Sequence, residues 1–361
     1  MQEDIDPLKK ILKGSSIILV GMFMSKLLAY IYRLLVARIG PEEYGLLSIS
    51  IGIVGLLTTL SLLGLNSGLL RYIPFFIGKG DNKGILISIK ETLKITTLIS
   101  LPFTIILFIY SEYISINFFN NPSLSPILRI SSLSIFFGVI SMILYDIILA
   151  FQKVKYQVLL KNLFGNIIKI VLTFILVYIF SFGIIGAVYA SLIAVILSTI
   201  LAFYIINKHI FNFITTKNIE DKKNIRKEIL FYSIPLMLSG TLISITSWTD
   251  TIMLGHFKSA SDVGVYNAAL PTAQLIYIIP YVFMLIFLPV LAELYAKGKK
   301  EVLSLIYLRV TKWIIFLNFL LFSFFFLFSK ILLTYLFGTE YSSGDLSLII
   351  LSFGFFIGYL L

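Results

Sequence analysis

GSSIILVGMFMSKLLAYIYRLLVA, residues 14–37, carries charge only at Lys26 and Arg33. A helix needs about 20 mainly apolar residues to cross a hydrocarbon core of about 30 Å, so this stretch is long enough to span a bilayer. It is too long for a signal-peptide core and has no small-residue cleavage site after it. It therefore predicts a retained first span, preceded by the polar, mixed-charge segment MQEDIDPLKKILK at 1–13. Comparable apolar stretches recur at 45–70, 95–117, 130–150, 162–181, 184–207, 231–254, 265–291, 313–337 and from 346 to the last residue. With the first, they make ten.

The composition agrees. Of 361 residues, 58% are apolar and 13% charged, with a mean hydropathy of +0.99, whereas soluble domains carry roughly 25% charged residues. The expectation is an all-α polytopic membrane protein, and a soluble enzyme is excluded. Cysteine is absent, which rules out disulfides, thiolate nucleophiles and Cys-ligated metals.

The net charge of +11 is explained by its placement. With the N-terminus in the cytoplasm, 22 of the 29 Lys and Arg residues fall in inner segments and four in outer ones (Arg38, Arg129, Lys258 and Lys330). The remaining three lie within spans. That bias is the positive-inside pattern. The basic residues are scattered over short loops without a nucleic-acid reading motif, so no nucleic-acid partner is expected.

The first span ends in RLLVARIGPEEYG (33–45) and the seventh in DTIMLGHFKSASDVG (250–264), and Lys79-Gly80 recurs as Lys297-Gly298. These correspondences lie 217 to 219 residues apart. A constant period suggests duplication, and six intervening spans give both copies the same orientation, as in parallel transporter repeats. The predicted organisation is a cytoplasmic segment at 1–13, a six-helix lobe at 14–207, a basic cytoplasmic loop at 208–230, and a second lobe at 231–361. The period places the end of that second lobe beyond Leu361, so its four spans (seven to ten) read as a truncated copy.

Ionisable groups within spans cost roughly 2.5 to 3.5 kcal/mol each at a helix centre, so each marks a candidate function. Five qualify: Lys26, Arg33, Asp146, Lys169 and Asp250. Lys26 and Arg33 are seven residues apart, almost two turns, and share one face about 10 Å apart along the axis. In the fifth span Asn162, Asn166, Lys169 and Thr173 recur at helical spacing. Asn66 adds a polar group to the second. A water-filled cavity would remove the desolvation penalty of these groups. Each also has a plainer reading: Arg33 snorkels to headgroups or pairs with Asp250 as a gate, and Asp146 pairs with Lys153 or Lys155. Asp250 and Asp146 are the carboxylates available for ion coupling. Pro235 opens the seventh span, Pro271, Pro280 and Pro289 interrupt the eighth, and Trp313 reads as an interfacial anchor.

Catalytic groupings are missing. Only His209 and His256 exist, too few for a His-built metal site. The outer acids Glu42, Glu43, Asp262, Glu340 and Asp345 are spread over short loops. No enzyme activity, metal or cofactor is expected.

ARIGPEEYGLLS (37–48), LGLNSGLLRYIP (63–74) and DTIMLGHFKSASDVGVYNAA (250–269) resemble the oligosaccharide flippases of the MOP superfamily, relatives of the MATE multidrug and toxin extruders. The resemblance implies two six-helix lobes forming a V around a central cavity, and alternating access. Arg33, Arg38, Gly40, Pro41, Gly45, Gly64 and Arg71 match its motifs, at positions that are structural or topological. It implies a plasma-membrane flippase moving lipid-linked oligosaccharide to the outer leaflet for surface glycan synthesis, with H⁺ or Na⁺ as possible drive and glycan polymerases or transferases as possible partners. Lys26, Arg33 and Lys169 would attract the phosphates and Asn162, Asn166 and Asn66 the sugars. Two alternatives stay open: a multidrug or cation antiporter of the same fold, whose cavity should be richer in acids, and a non-transporting glycan-assembly protein.

Overall fold

A computed structural model describes residues 5–210 and 223–358. The described residues form helices joined by short turns, as expected where a bilayer leaves backbone N–H and C=O groups no water to bond. Nine of these helices are long and apolar enough to cross a membrane. The tenth apolar stretch is helical over Asp345–Ile357, and its residues from 359 onward lie outside the described range, as do residues 211–222 of the expected inter-lobe loop. That loop is shorter than 208–230, because the seventh helix begins at Lys223 and runs to Phe257.

By internal contacts the chain divides into Met1–Val263 and Gly264–Leu361. In the first unit the fourth span, Leu124–Ala150, packs against the second (Pro41–Leu62), the third (Asn82–Ile109) and the sixth (Gly183–His209). Leu65, Leu69 and Ile73 meet Val139, Ile143 and Ile147 of the fourth span in one apolar core with Ile89, Leu160, Ile206 and Ile229. The third span buries Ser88, Thr96 and Thr104, each donating to the carbonyl one turn back, at 2.7 to 2.9 Å. A hydroxyl satisfied by its own helix can face another helix without an unpaired polar group. Many large apolar side chains face outward, Leu98, Ile109, Ile200 and Leu327 each at least 60% exposed. A water-soluble surface of this kind would aggregate; against lipid it is the preferred contact.

The stretch expected as one span at 45–70 is two helices. Pro41–Leu62 stops at Leu63 and Gly64, both left-handed (φ 48° and 68°), and Leu65–Gly78 begins a separate helix. A Cβ on Gly64 would sit 2.4 Å from the Ser233 carbonyl oxygen, so glycine is required both for its backbone angle and for the approach of the seventh helix. The break places Asn66 on the short helix. The third span also begins earlier than expected, so Lys83, Lys90 and Lys94 ride on its first turns.

Gly80 and Gly298, the repeated Lys-Gly pairs, have φ of 66° and 68°. The hydrogen bonds around them are the same: Gly80 to Ile77, Asp81 to Phe76 and Asn82 to Gly80, matched by Gly298 to Tyr295, Lys299 to Leu294 and Lys300 to Gly298. One sequence signal thus encodes one turn at both places.

In the second unit the ninth helix, Lys300–Leu336, packs on Asp345–Ile357. Phe322 stacks on Phe356 at 5.5 Å between centroids, with Phe319 and Phe353 beside them. The eighth span does not run as one regular helix. After Pro271 it tightens into a 3₁₀ stretch at Gln274–Tyr277 and resumes at Ile278, consistent with the freed backbone groups around a proline.

Candidate functional site

The polar residues expected within the spans concentrate where the first helix meets the fifth. The fifth span, Val154–Ile179, is not a uniform helix: two wide π turns, Leu159–Phe164 and Phe174–Ile179, flank the regular segment Gly165–Thr173. A π turn takes an extra residue and rotates the helix beyond it, and such turns cluster at functional sites. Asn162 lies in the first of them and is 9% exposed. Asn166 donates from its amide to the Asn162 carbonyl at 2.9 Å and to Ser25 Oγ of the first helix at 3.1 Å. Gly21 makes this approach possible, since a Cβ there would lie 2.1 Å from Val158 Cγ1 and 3.2 Å from Asn162 Nδ2.

Two turns farther along the first helix, Tyr32 is buried (4% exposed). Its hydroxyl is 3.1 Å from Ser191 Oγ. Ser191 already donates to the Ala187 carbonyl, so Tyr32 is the donor of that bond. Lys169 Nζ stands 3.6 Å above the Tyr32 ring centroid, a cation–π contact. Arg33 is the charge that acts on Lys169, and its field also reaches the buried Tyr44. Tyr178 closes this end by donating to the Leu35 carbonyl at 2.7 Å. Among the described residues neither Lys169 nor Arg33 forms an ion pair. The result is Lys169 on an aromatic and hydroxyl floor within the field of Arg33, with a row of amides two turns away.

The other expected residues stand elsewhere. Lys26 is exposed on the first helix between the amide row and Arg33. Asn66 is half-buried on the short helix that packs on the seventh. Asp250 is half-buried on the seventh helix, where its carboxylate accepts the Thr251 N–H at 2.7 Å. Asp146 is 9% exposed on the fourth span, and the cation whose field reaches it is Lys161 of the π turn, where Lys153 or Lys155 had been expected. Tyr32, Tyr44, Ser25 and Ser191 were missed by the sequence reading. Only Tyr32 had a signal, an aromatic residue one position before an in-span arginine.

A second cleft of about 400 Å³ opens where the second, fourth and eighth spans begin and the seventh ends, lined by Glu42, Asn120, His256, Lys258 and Ser261 among others. His256 Nδ1 lies 2.6 Å from the Phe118 carbonyl.

Residues 235–360 match the MatE family. An uncharacterized membrane protein of Methanocaldococcus jannaschii is 25% identical, over 96% of this chain and 70% of its own. The inward-facing structure of a multidrug resistance MATE family transporter of the MOP superfamily superposes with a TM-score of 0.74 at 20% identity, covering 91% of this chain and 76% of that one. A MOP superfamily transporter from Pyrococcus furiosus does so at 0.63 and 21% identity, over 96% and 78%. Residues 11–295, most of the chain, match the family described as polysaccharide biosynthesis protein, so the chain belongs to that family and is a multi-pass membrane protein whose fold is that of the MATE structures.

Proposed function

We propose that the chain is a plasma-membrane flippase that carries lipid-linked oligosaccharide from the cytoplasmic to the outer leaflet by alternating access. The observation that carries this reading is Lys169 over the Tyr32 ring within the spans, with Arg33 as the charge acting on it and no ion pair to either among the described residues. Two like charges repel, and a desolvated cation without an anion is costly. An incoming pyrophosphate removes both costs at once, with Arg33 as a fork and Lys169 as a point charge. The Asn162 and Asn166 amides supply hydrogen bonds for sugar hydroxyls, Lys26 adds a cation between the two groups, and Asn66 is a further amide on the route. The polyprenyl tail stays in lipid, which lets the cavity be polar.

The bias of basic residues supports a cytoplasmic N-terminus, and the repeated turns support the internal repeat that alternating-access transporters use. Transport against a gradient needs a drive. Asp146 and Asp250 are the in-span carboxylates placed to exchange H⁺ or Na⁺ with such a movement, and Asp250 also stands for a gate. Glycan polymerases or transferases are the expected receivers of the flipped product.

The MatE match favours a second reading, a multidrug or cation antiporter. In the Pyrococcus furiosus relative, reverse polarity of the binding pocket suggests a different function. Here the site's polarity is basic, which suits an anionic cargo.

The test is the leaflet distribution of sugar-loaded carrier lipid in a deletion strain, scored with a membrane-impermeant glycosidase. The parent chain restores outer-leaflet glycan. The double variant Lys169→Gln with Arg33→Gln, present in the membrane at parental level, loses at least tenfold of that activity. Parental flipping by the double variant overturns the assignment, and normal glycan with cationic-dye sensitivity in the deletion strain moves the function to the antiporter.

A further inference from the structure

The ninth helix is 37 residues long, about 55 Å at 1.5 Å per residue, and so exceeds a hydrocarbon core of about 30 Å. Its charges mark where it leaves that core. Between Lys312 and Lys330 every residue is uncharged, a separation of about 27 Å along the axis. Lys312 and Lys330 therefore sit at opposite membrane boundaries, whichever way the chain is oriented. At the Lys312 boundary, Arg309, Lys312, Trp313 and Phe316 line a groove of about 390 Å³ in the second unit.

Their spacing, at i, i+3, i+4 and i+7, puts the four on one helical stripe. Along that stripe chemistry changes with depth: two cations first, then the indole, then a phenyl ring. Trp313 and Phe316 meet edge to face at 6.0 Å, 84° between planes, which fixes the aromatic wall. Both remain half-exposed, at 58% and 50%. Among the described residues Arg309 and Lys312 make no ion pair.

We propose that this groove is a binding site for an anionic membrane phospholipid. Arg309 and Lys312 take the phosphodiester and the anionic headgroup, the Trp313 indole lies at the ester level where aromatic belts sit, and Phe316 contacts the first part of an acyl chain. Charge complementarity selects this occupant: a zwitterionic lipid offers the same phosphate but cancels it with its own cation. Two basic side chains near a membrane surface favour anionic lipid by a factor of about 30 at most, and less as salt rises. The proposal stands apart from the flippase reading, since it concerns a different unit of the chain and a resident lipid.

The chain has two tryptophans, so a Trp248→Phe background leaves Trp313 as the sole reporter. The purified full chain is reconstituted into vesicles of phosphatidylcholine with either dibrominated phosphatidylglycerol or dibrominated phosphatidylcholine of the same acyl chains, at equal mole fraction. Expected is quenching of Trp313 that favours the anionic lipid about tenfold or more in relative affinity, weakening with salt. In Arg309→Gln with Lys312→Gln the preference falls to near one, while Lys330→Gln leaves it in place. Native mass spectrometry of the unaltered tryptophan background reads retained phosphatidylglycerol independently, in case Trp248→Phe disturbs folding. Equal quenching by the two lipids, or a preference that survives the double substitution, overturns the proposal.

Discussion

Gly21→Ala tests the packing on which the candidate site depends. The added methyl would lie 2.1 Å from Val158 Cγ1 and 3.2 Å from Asn162 Nδ2, whereas carbon atoms in contact sit about 3.5–4.0 Å apart. Val158 cannot swing away cheaply, because a β-branched side chain in a helix has one strongly preferred rotamer. Its backbone cannot shift freely either, since it leads directly into the π turn that carries Asn162. Overpacking of this kind costs about 1–3 kcal/mol. Against it stands the gain of replacing a mid-helix glycine by alanine, roughly 0.5–1 kcal/mol. The clash wins, and the net loss expected is about 1–2 kcal/mol. Gly138 is the control: it lies within the fourth span with nothing within 4 Å of an added Cβ, so Gly138→Ala gains helix propensity alone. The assay is the thermal unfolding midpoint of the detergent-purified chain. Gly21→Ala lowers it, Gly138→Ala leaves it equal or higher, and adding Val158→Ala to Gly21→Ala recovers the midpoint relative to Val158→Ala alone. If Gly21→Ala matches the parent, or Val158→Ala gives no relief, the first and fifth helices do not pack as described.

Three further outcomes are expected. Tyr32→Leu removes both the ring beneath Lys169 and the donor to Ser191, and should cut flipping about tenfold, whereas Tyr32→Phe keeps the ring and should cost less than threefold, in line with a cation–π contact of about 0.5–2 kcal/mol; equal losses would place the effect in the hydroxyl. Gly64→Ala, at φ 68° and 2.4 Å from the Ser233 carbonyl oxygen, should depress the yield of folded protein on size-exclusion chromatography, and an undisturbed elution profile would argue against the helix break. Lys297, hydrogen-bonded to Glu293, holds that exposed carboxyl below its ordinary value of 4.5. The stabilising contact is present above that value and is lost as pH falls through the lower folded-state value. Carbon-13 titration of Glu293 should show its midpoint moving upward in Lys297→Met.

The sequence carried the fold class because span length, apolarity and charge placement are local properties. A run such as 14–37 is long enough to cross a bilayer whatever surrounds it, and Lys-Gly at 79–80 and 297–298 builds the same turn twice because a left-handed glycine closes a helix by itself. The family motifs near 37–48 and 250–269 were legible for the same reason. Part of the site was legible too: Lys169, Arg33, Asn162 and Asn166 were singled out because polar groups within apolar runs are conspicuous.

Tertiary structure decided which of them meet. A 3.6-residue period assigns faces only while the helix is regular, and the π turns at 159–164 and 174–179 reset that phase. It decided that Tyr32, an ordinary aromatic in the sequence, lies under Lys169, and that Asp146 has Lys161 as its neighbouring cation. The close approach of the seventh helix at Gly64, where an added Cβ would lie 2.4 Å from the Ser233 carbonyl oxygen, was likewise set from outside the run. Contacts between helices depend on rotation and close approach, which a single strand of residues does not encode, whereas the cost of leaving a segment out of the membrane is written into that segment alone.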